Sequence, residues 1–426
     1  HPFTHVAGRS DQPTAFSICG SGLASYILAL KLKRTRNMST NVQNVLANVS
    51  LNFQPKNDLP STDVHSLSLI QQSGTSASRG VLETLVSKTP MIVEASPWED
   101  SASLVAFGGD NQLTILRRTS SLGATTRSGG VIESLRFSHV ANFSMSGRVS
   151  CLAWSPQSKS DEQNSQISLA AACSDHSVQC HFATLHSTLK QSLLGHSDYI
   201  NSISFVPTHG QTPGNDAQMH PLTNGVHLAS ASDDHTVHLW NAEQAEPVQV
   251  LAMSSAVMSV KFHSQEPNLL MAAAASGEVS IFDLRGSSLI AYSLYSEHPS
   301  LLDADWSSVD STLFGCVVNR RWLIWDARGA SGSTTASSAS ITNQIPIAME
   351  GPACSTPLSK FRWSHTHANL FATLQAPSTV TVWDSSNPSA PISESHGSHR
   401  FGGVTWLQDR ACVLSGSHRQ IFFTLL

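Results

Sequence analysis

The sequence is poor in charged and aromatic side chains: 13% of its residues are Asp, Glu, Lys or Arg, and 7% are Phe, Trp or Tyr. It has 25 basic against 30 acidic residues, a formal net charge of −5, and no long basic block. Proteins that bind nucleic acids neutralise phosphates with clustered lysines and arginines. The charge pattern therefore argues against a nucleic acid as a direct partner.

Cysteine is also sparse, and its arrangement excludes two common roles. The seven cysteines are scattered along the chain and form no C-x-x-C pair. This argues against a disulfide framework and against a zinc site. We therefore expect a reducing compartment, the cytosol or the nucleus.

Long hydrophobic runs are lacking as well. The mildly apolar stretch at 14–30 is short and broken by Gly and Ser, so we expect no membrane insertion. Residues 15–32 also resemble a strand, a G-x-G turn and a helix, as in a dinucleotide-binding site. Ser25 replaces the third glycine, however, and no acidic residue follows to hold a ribose, so we predict no cofactor there.

The sequence shows no constellation typical of catalysis or metal binding. Its 20 histidines include two groups worth considering, His365 with His367, and His176 with His181 and His186. Neither has a ligand pattern such as H-E-x-x-H, and no G-x-S-x-G nucleophile motif is present. We predict no catalytic residue, no metal and no cofactor, and hence that the protein is not an enzyme.

What the sequence does contain is a repeat. Six β-like segments end in an aromatic residue that precedes a turn, and these aromatics are Trp154, Phe205, Phe262, Trp306, Trp363 and Trp406. A seventh segment, MIVEASP at 91–97, has Ala95 at the aromatic position. The markers lie 43 to 59 residues apart, against roughly 40–45 for a WD repeat without insertions. The excess falls in loop-like stretches at 208–225 and 329–340. The pattern predicts an all-β, seven-bladed WD40-type β-propeller over residues 79–426.

One repeat carries the WD signature in full. The segment LASASDDHTVHLWN at 228–241 is preceded by GHSDYI, which supplies His196. In WD repeats the corresponding residues form a buried hydrogen-bond chain, here predicted to join His196, Ser230 or Ser232, Asp234 and Trp240. Unpaired polar groups are costly when buried, so we interpret this tetrad as structural. The other blades lose the tetrad, and their turn positions are Asp110, Asp175, Ser276, Asn319, Pro377 and His418.

The last segment, RQIFFTLL, supplies the third strand of blade seven and leaves no residues for a fourth. We expect VLETLV at 81–86 to provide it by pairing with the C-terminal strand, which closes the ring and leaves no exposed edge. Residues 1–78 are then an extension outside the ring, expected to be disordered or not native.

Three arginines are candidates for contact with a partner. Arg320 and Arg321 lie in the turn VVNRRW, and Arg328 follows one strand later. Arginine is enriched at interfaces but is also ordinary on surfaces, so a partner-facing patch and a solvated turn remain equal alternatives.

The chain as a whole resembles the small WD-repeat nucleoporins of the Y-shaped outer-ring complex of the nuclear pore. The resemblance covers about residues 81–426 and is carried in order by ASPWEDSASLVAFGGDNQLTIL, GRVSCLAWSP, LLGHSDYINSISFVP, LASASDDHTVHLWN, RWLIWDAR and FRWSHTHANLFAT.

The resemblance implies a non-catalytic scaffold subunit that docks as a monomer on the large propeller-and-solenoid nucleoporin of a short arm of the Y-complex, beside other outer-ring nucleoporins. It implies a place at the nuclear envelope and a role in pore assembly, mRNA and protein transport. It also implies visits to kinetochores in mitosis.

Two other functions remain open. A WD adaptor, such as a substrate receptor of a ubiquitin ligase or a chromatin reader, shares the generic WD features, and the W-D-x-R sequence at Trp325–Arg328 is typical of such receptors. An enzyme is the third alternative, resting on the glycine run or on an unrecognised site in the central channel.

Overall fold

The computed structural model describes residues 64–70, 78–83, 90–125, 131–161, 165–184, 187–207, 225–242, 246–285, 290–295, 300–329, 347–418 and 420–426. These residues form antiparallel strands in seven sheets, with two single-turn 3₁₀ segments and no α-helix in the described ranges. Accordingly, no described helix is long and apolar enough to cross a membrane. The prediction of an all-β, seven-bladed propeller is confirmed.

Two strands precede the first blade in sequence, and each joins a sheet formed by later residues. They are β1 (Val64–Ile70) and β2 (Ser78–Glu83).

The seven blades follow one another along the chain. The strands of blade one are β3 (Ile92–Ala95), β4 (Leu104–Gly108), β5 (Gln112–Thr125) and β6 (Val131–Ser144). Those of blade two are β7 (Val149–Trp154), β8 (Ile167–Cys173), β9 (Val178–Ala183) and β10 (Thr188–Leu193). Those of blade three are β11 (Ile200–Phe205), β12 (Leu228–Ser232), β13 (Thr236–Asn241) and β14 (Glu246–Ala252). Those of blade four are β15 (Val257–Phe262), β16 (Leu269–Ala274), β17 (Glu278–Asp283) and β18 (Ile290–Tyr295).

The remaining blades repeat this order. The strands of blade five are β19 (Leu301–Trp306), β20 (Leu313–Val318), β21 (Arg321–Asp326) and β22 (Ile347–Glu350). Those of blade six are β23 (Leu358–Trp363), β24 (Leu370–Gln375), β25 (Thr379–Asp384) and β26 (Ser393–His396). Those that blade seven takes from the end of the chain are β27 (Gly403–Trp406), β28 (Cys412–Gly416) and β29 (Gln420–Leu425).

The first strands of successive blades contact one another in a closed circle, with β27 against β3. They therefore line a central channel. The second strands are covered on both faces by neighbouring blades, and every residue of β8 and of β20 is buried. Small and apolar side chains suit such strands because both faces pack. One apolar cluster lies between each adjacent pair of blades.

The ring closes through the predicted pairing of an N-terminal strand with the C-terminal strand. Strand β2 pairs antiparallel with β29, from Ser78↔Leu425 to Glu83↔Gln420. The pairing segment begins three residues earlier than the predicted 81–86. Residues 84–86 lie outside the described ranges.

The expectation that residues 1–78 are disordered is wrong for one segment. Strand β1 pairs with β6, from Val64↔Ser138 to Ile70↔Ile132, and makes blade one five-stranded. Strands β5 and β6 are 14 residues each, longer than the other blade strands, so the far part of β6 offers an edge that another strand can cover. The rest of the predicted extension, 1–63 and 71–77, lies outside the described residues.

Candidate functional site

The structure brings the predicted tetrad of blade three together. The Nδ1 atom of His196 lies 2.8 Å from Oδ2 of Asp234, and its Nε2 atom lies 2.7 Å from Oγ of Ser230. The indole Nε1–H of Trp240 donates to the same hydroxyl at 2.8 Å. Of the two serines considered, Ser230 is the one in the chain, whereas the Ser232 hydroxyl donates to the Asp198 carbonyl at 3.1 Å.

The turn between β12 and β13 holds the carboxylate of Asp234 in place. The Thr236 backbone N–H donates to Oδ1 at 3.0 Å, and the Ser197 N–H donates to Oδ2 at 3.0 Å. Burial acts to raise the pKa of Asp234, but the hydrogen bonds from Thr236 and His196 outweigh it and hold the pKa at about 2. The carboxylate therefore stays ionised and orients the His196 ring.

A second histidine packs on the tetrad. The ring of His238 stacks on that of His196 with centroids 3.9 Å apart. Together with Asp234 they form a group whose ligand atoms are close enough for a metal ion. Both nitrogens of His196 are already hydrogen-bonded within the tetrad, and burial lowers the pKa of His238 to about 4. The two stacked imidazole rings are therefore neutral beside the ionised carboxylate of Asp234.

Blade six keeps only half of this arrangement. The Trp383 Nε1–H donates to Oγ1 of Thr373 at 2.9 Å, as Trp240 does to Ser230. Cys354 and Pro377 stand at the sequence positions of the histidine and the aspartate. In blade two, His181 takes the tryptophan position, and burial lowers its pKa to about 4.

Among the described residues, none of the other candidate histidines belongs to a group whose ligand atoms are close enough for a metal ion. Burial lowers the pKa of His365 to about 4, whereas the Nδ1 atom of His367 lies 2.7 Å from the Thr366 hydroxyl. His186 and the glycine run at 15–32 lie outside the described residues.

The three candidate arginines do not form one patch. Arg320 lies at the turn before β21 and Arg321 is the first residue of that strand, whereas Arg328 follows its other end, about 17 Å away or more at the rise of a β-strand. The Nε–H of Arg320 donates to the Cys354 carbonyl at 2.7 Å, and Arg321 pairs with Glu350. Arginines 320 and 321 thus share one face of the ring.

On the opposite face, Arg328 is held by the aspartate of the W-D-x-R sequence. Its Nε–H and Nη2–H donate to Asp326 at 2.9 and 2.7 Å, and its side chain is 61% exposed. The neighbouring blade repeats this geometry, since Arg285 donates to Asp283 at 2.9 and 2.8 Å. Sequence reasoning missed the second pair because Phe282 stands where a tryptophan was expected.

Charged residues on the first strands form a network in the channel that sequence reasoning also missed. Glu94, Lys261, Asp305 and Arg362 each directly precede the marker residue of their blade, so they occupy one ring of positions around the channel. The signal was in the sequence, one residue before each marker. Asp303 lies two residues before Asp305, on the same face of its strand.

Opposite charges meet in this network. Arg362 pairs with Asp303, and the Nζ atom of Lys360 lies 4.0 Å from Asp303. Burial acts to raise the pKa of Asp303, but Arg362 and the lysines outweigh it and lower the pKa. Burial raises the pKa of Asp305 and that of Glu94. The network contains three carboxylates and three cations, so its formal charges cancel. They are Glu94, Asp303 and Asp305, and Lys261, Lys360 and Arg362.

The channel is also lined by a thiol, that of Cys151. Burial raises the pKa of Cys151 to about 12, so this thiol is neutral near pH 7 and a poor nucleophile. Its sulfur lies 3.9 Å from the carbonyl of Ile200.

Comparison with known proteins agrees with the geometry. The family model described as WD domain, G-beta repeat matches residues 187–241. The chain is 30% identical to nucleoporin Nup37 of Mus musculus over 342 residues, which cover 78% of this chain and 93% of the mouse protein. It is 29% identical to nucleoporin Nup37 of Homo sapiens over 340 residues, with the same coverage. The match to nucleoporin Nup37 of Drosophila melanogaster is 28% over 179 residues, 42% of this chain and 51% of that protein.

The closed ring of seven blades and the tetrad of blade three define a WD-repeat β-propeller. Within that class, the match to the mouse protein covers nearly all of the relative's length. The chain belongs to the Nup37 family of nucleoporins.

Proposed function

We propose that this protein is a non-catalytic structural subunit of the outer-ring Y-complex of the nuclear pore, docking on the large propeller-and-solenoid nucleoporin of a short arm and on other outer-ring nucleoporins. In this role it supports pore assembly and nucleocytoplasmic transport. The observation that carries the proposal is the alignment with the nucleoporin Nup37 relatives across 93% of their length.

The fold suits a scaffold. Apolar clusters between all neighbouring blades, together with the ion pairs of the channel, hold the seven sheets in one ring. A rigid ring offers two faces and a rim, and its binding costs little ordering of its own backbone.

The face that bears Arg320 and Arg321 is the proposed partner-facing surface. Both side chains are exposed, and each is anchored by a contact within the ring. Anchored arginines lose little side-chain freedom on binding, and arginine is frequent among the residues that dominate interface energies.

The test is affinity capture of the full chain from a nuclear extract, with mass spectrometry of stoichiometric partners. We expect outer-ring nucleoporins, and we expect Arg321→Glu to reduce their recovery while Arg328→Glu, on the opposite face, does not. Undiminished recovery with Arg321→Glu would reject the assignment of that face.

A ubiquitin-ligase receptor or chromatin adaptor is the second candidate, because exposed Arg328 and its Asp326 partner form the W-D-x-R end of blade five. Recovery of a cullin-ligase adaptor that is lost with Arg328→Glu would replace the nucleoporin proposal by this one. Imaging of the tagged full chain tests the proposed location, at the nuclear envelope in interphase and at kinetochores in mitosis.

A further inference from the structure

A cavity of about 390 Å³ opens where the segment that leads from β22 to β23 lies against blade six. It lies beside Arg320, whose side chain contacts the segment that leads from β22 to β23. The residues that decide its chemistry are Pro352, Cys354, Pro377, Trp383, Glu394 and His396.

The cavity exists because blade six lacks two members of the tetrad. Cys354 lies four residues before β23, as His196 lies four residues before β11. Pro377 follows Thr373 by four residues, as Asp234 follows Ser230. In both blades the tryptophan stands ten residues after the hydroxyl and donates to it. The space that an imidazole and a carboxylate fill in blade three is therefore left open in blade six.

The walls of this cavity are rigid, because prolines 352, 377 and 391 line it and proline has one restricted backbone dihedral. The buried ring of Trp383 lies at its base. A site with fixed walls binds a side chain without first ordering its own residues.

The outer strand adds a negative charge. Glu394 is paired with Thr381 in the ladder of β25 and β26, whereas Val250 is paired with His238 at the same place in blade three. Burial raises the pKa of the Cys354 thiol, and Glu394 raises it further against the weaker opposite effect of Arg320. Glu394 is the one carboxylate among the residues that line the cavity, and that lining includes no Lys or Arg.

We propose that this cavity binds an arginine side chain presented by a partner protein, with the planar guanidinium next to Trp383 and directed at Glu394. In blade three, the planar nitrogen-containing ring of His196 packs edge-on beside Trp240, with ring centroids 6.2 Å apart. A guanidinium combines that planarity with the charge that Glu394 favours, and it stacks on aromatic rings and pairs with carboxylates. Lysine offers only the charge. The proposal does not depend on which nucleoporin or other protein supplies the arginine.

The experiment is an NMR titration of the full chain with N-acetyl-arginine methylamide, following the backbone amides of Ala376 and Thr379 at the cavity. We expect saturable shifts with the arginine probe. The uncharged isostere N-acetyl-citrulline methylamide should bind about tenfold or more weakly than the arginine probe, because a charge-assisted hydrogen bond is lost. Glu394→Gln should weaken binding of the arginine probe to the level of the citrulline probe.

A variant that fills the cavity provides a second test of the proposal. Cys354→His combined with Pro377→Asp places the blade-three side chains in the cavity and should abolish the shifts, with circular dichroism to check that the variant is folded. If the double variant does not fold, Glu394→Gln decides alone. Absence of saturable shifts in the unmodified chain, or equal affinities for the arginine and citrulline probes, would overturn the proposal.

Discussion

The indole Nε1–H of Trp406 in blade seven donates a hydrogen bond of 3.0 Å to the main-chain carbonyl of Arg362 in blade six. The same contact recurs between other neighbouring blades, from Trp154 to Glu94 at 3.0 Å and from Trp306 to Lys261 at 3.3 Å. In each case the acceptor directly precedes the marker residue of its own blade. Three of the four marker tryptophans therefore join neighbouring blades as well as filling the space between them.

The hydrogen bond of Trp406 predicts that two Trp→Phe substitutions lower the free energy of unfolding by different amounts. Trp406→Phe removes the donor and leaves a buried carbonyl, which should lower the free energy of unfolding by about 1–3 kcal/mol beyond the packing loss. Trp363→Phe is the matched control, because the buried Nε1 of Trp363 has no hydrogen-bond partner in the structure. Urea unfolding curves measure both, and equal losses would refute the role of the inter-blade bond.

The tetrad of blade three predicts that two Asp→Asn substitutions differ in their effect on stability. Asp234→Asn keeps the shape but removes the charge that donor groups of His196, Ser197 and Thr236 share, so we expect a loss of about 1.5–3 kcal/mol. Asp175→Asn, at an exposed turn where the carboxylate accepts hydrogen bonds from Ser177 and Ser146, should lower stability by less than Asp234→Asn does, because solvent screens an exposed carboxylate. Thermal and urea unfolding of the two variants side by side tests this. The prediction would be contradicted if Asp234→Asn unfolded at the same temperature and urea concentration as the unmodified chain, with the Trp240 indole equally buried.

Ring closure through β2 predicts a sharp boundary for truncation. A chain that starts at residue 78 keeps the ladder to β29, whereas a chain that starts at residue 84 leaves β29 with a free edge. We expect the longer chain to remain folded and monomeric and the shorter one to aggregate or to unfold at lower urea concentration. Light scattering and circular dichroism distinguish them, and a stable monomeric 84–426 chain would disprove closure by this strand.

Buried histidines predict loss of stability in mild acid. The pKa values of His181, His238 and His365 are lowered to about 4, below that of an unfolded histidine, about 6.5. Between these values the unfolded chain binds more protons, so the stability present above pH 6.5 falls toward pH 4, by about 1.4 kcal/mol per pH unit for each histidine.

The substitution His181→Phe isolates one of these contributions. His181→Phe should reduce the change of stability with pH by the contribution of one histidine. It should leave stability near pH 7.5 little changed, because the ring at this position packs against Phe143 with centroids 4.7 Å apart. Exposed His139→Phe is the control and should keep the full slope. Urea unfolding from pH 7.5 to 4.5 measures the three proteins, and identical slopes would show that His181 does not contribute.

Much of the fold was predictable because each repeat is a local pattern. The markers, the turns and the apolar alternation lie within about 50 residues of one another, so they indicated seven blades and placed the strands around Trp154 or Trp406. The tetrad of blade three was predictable for the same reason, although the sequence left Ser230 and Ser232 as alternatives. The predicted closure by an N-terminal strand followed from counting strands in the last repeat.

Other features depended on contacts between residues far apart in the chain. The register of β2 on β29, the pairing of β1 with β6 and the separation of Arg321 from Arg328 are set by strand ladders that no local pattern specifies. The partners of Trp406 and of the channel carboxylates come from neighbouring blades about 40–60 residues away.

The sequence by itself determined the repeat, the number of blades and the polar tetrad, because hydrophobic period and turn chemistry act over short distances. Only the tertiary structure decided which charges meet in the channel, which arginines share a face and where a missing histidine and aspartate leave a cavity. These depend on the packing of one blade on the next, where side chains brought together by ring closure fill or leave the space between the sheets.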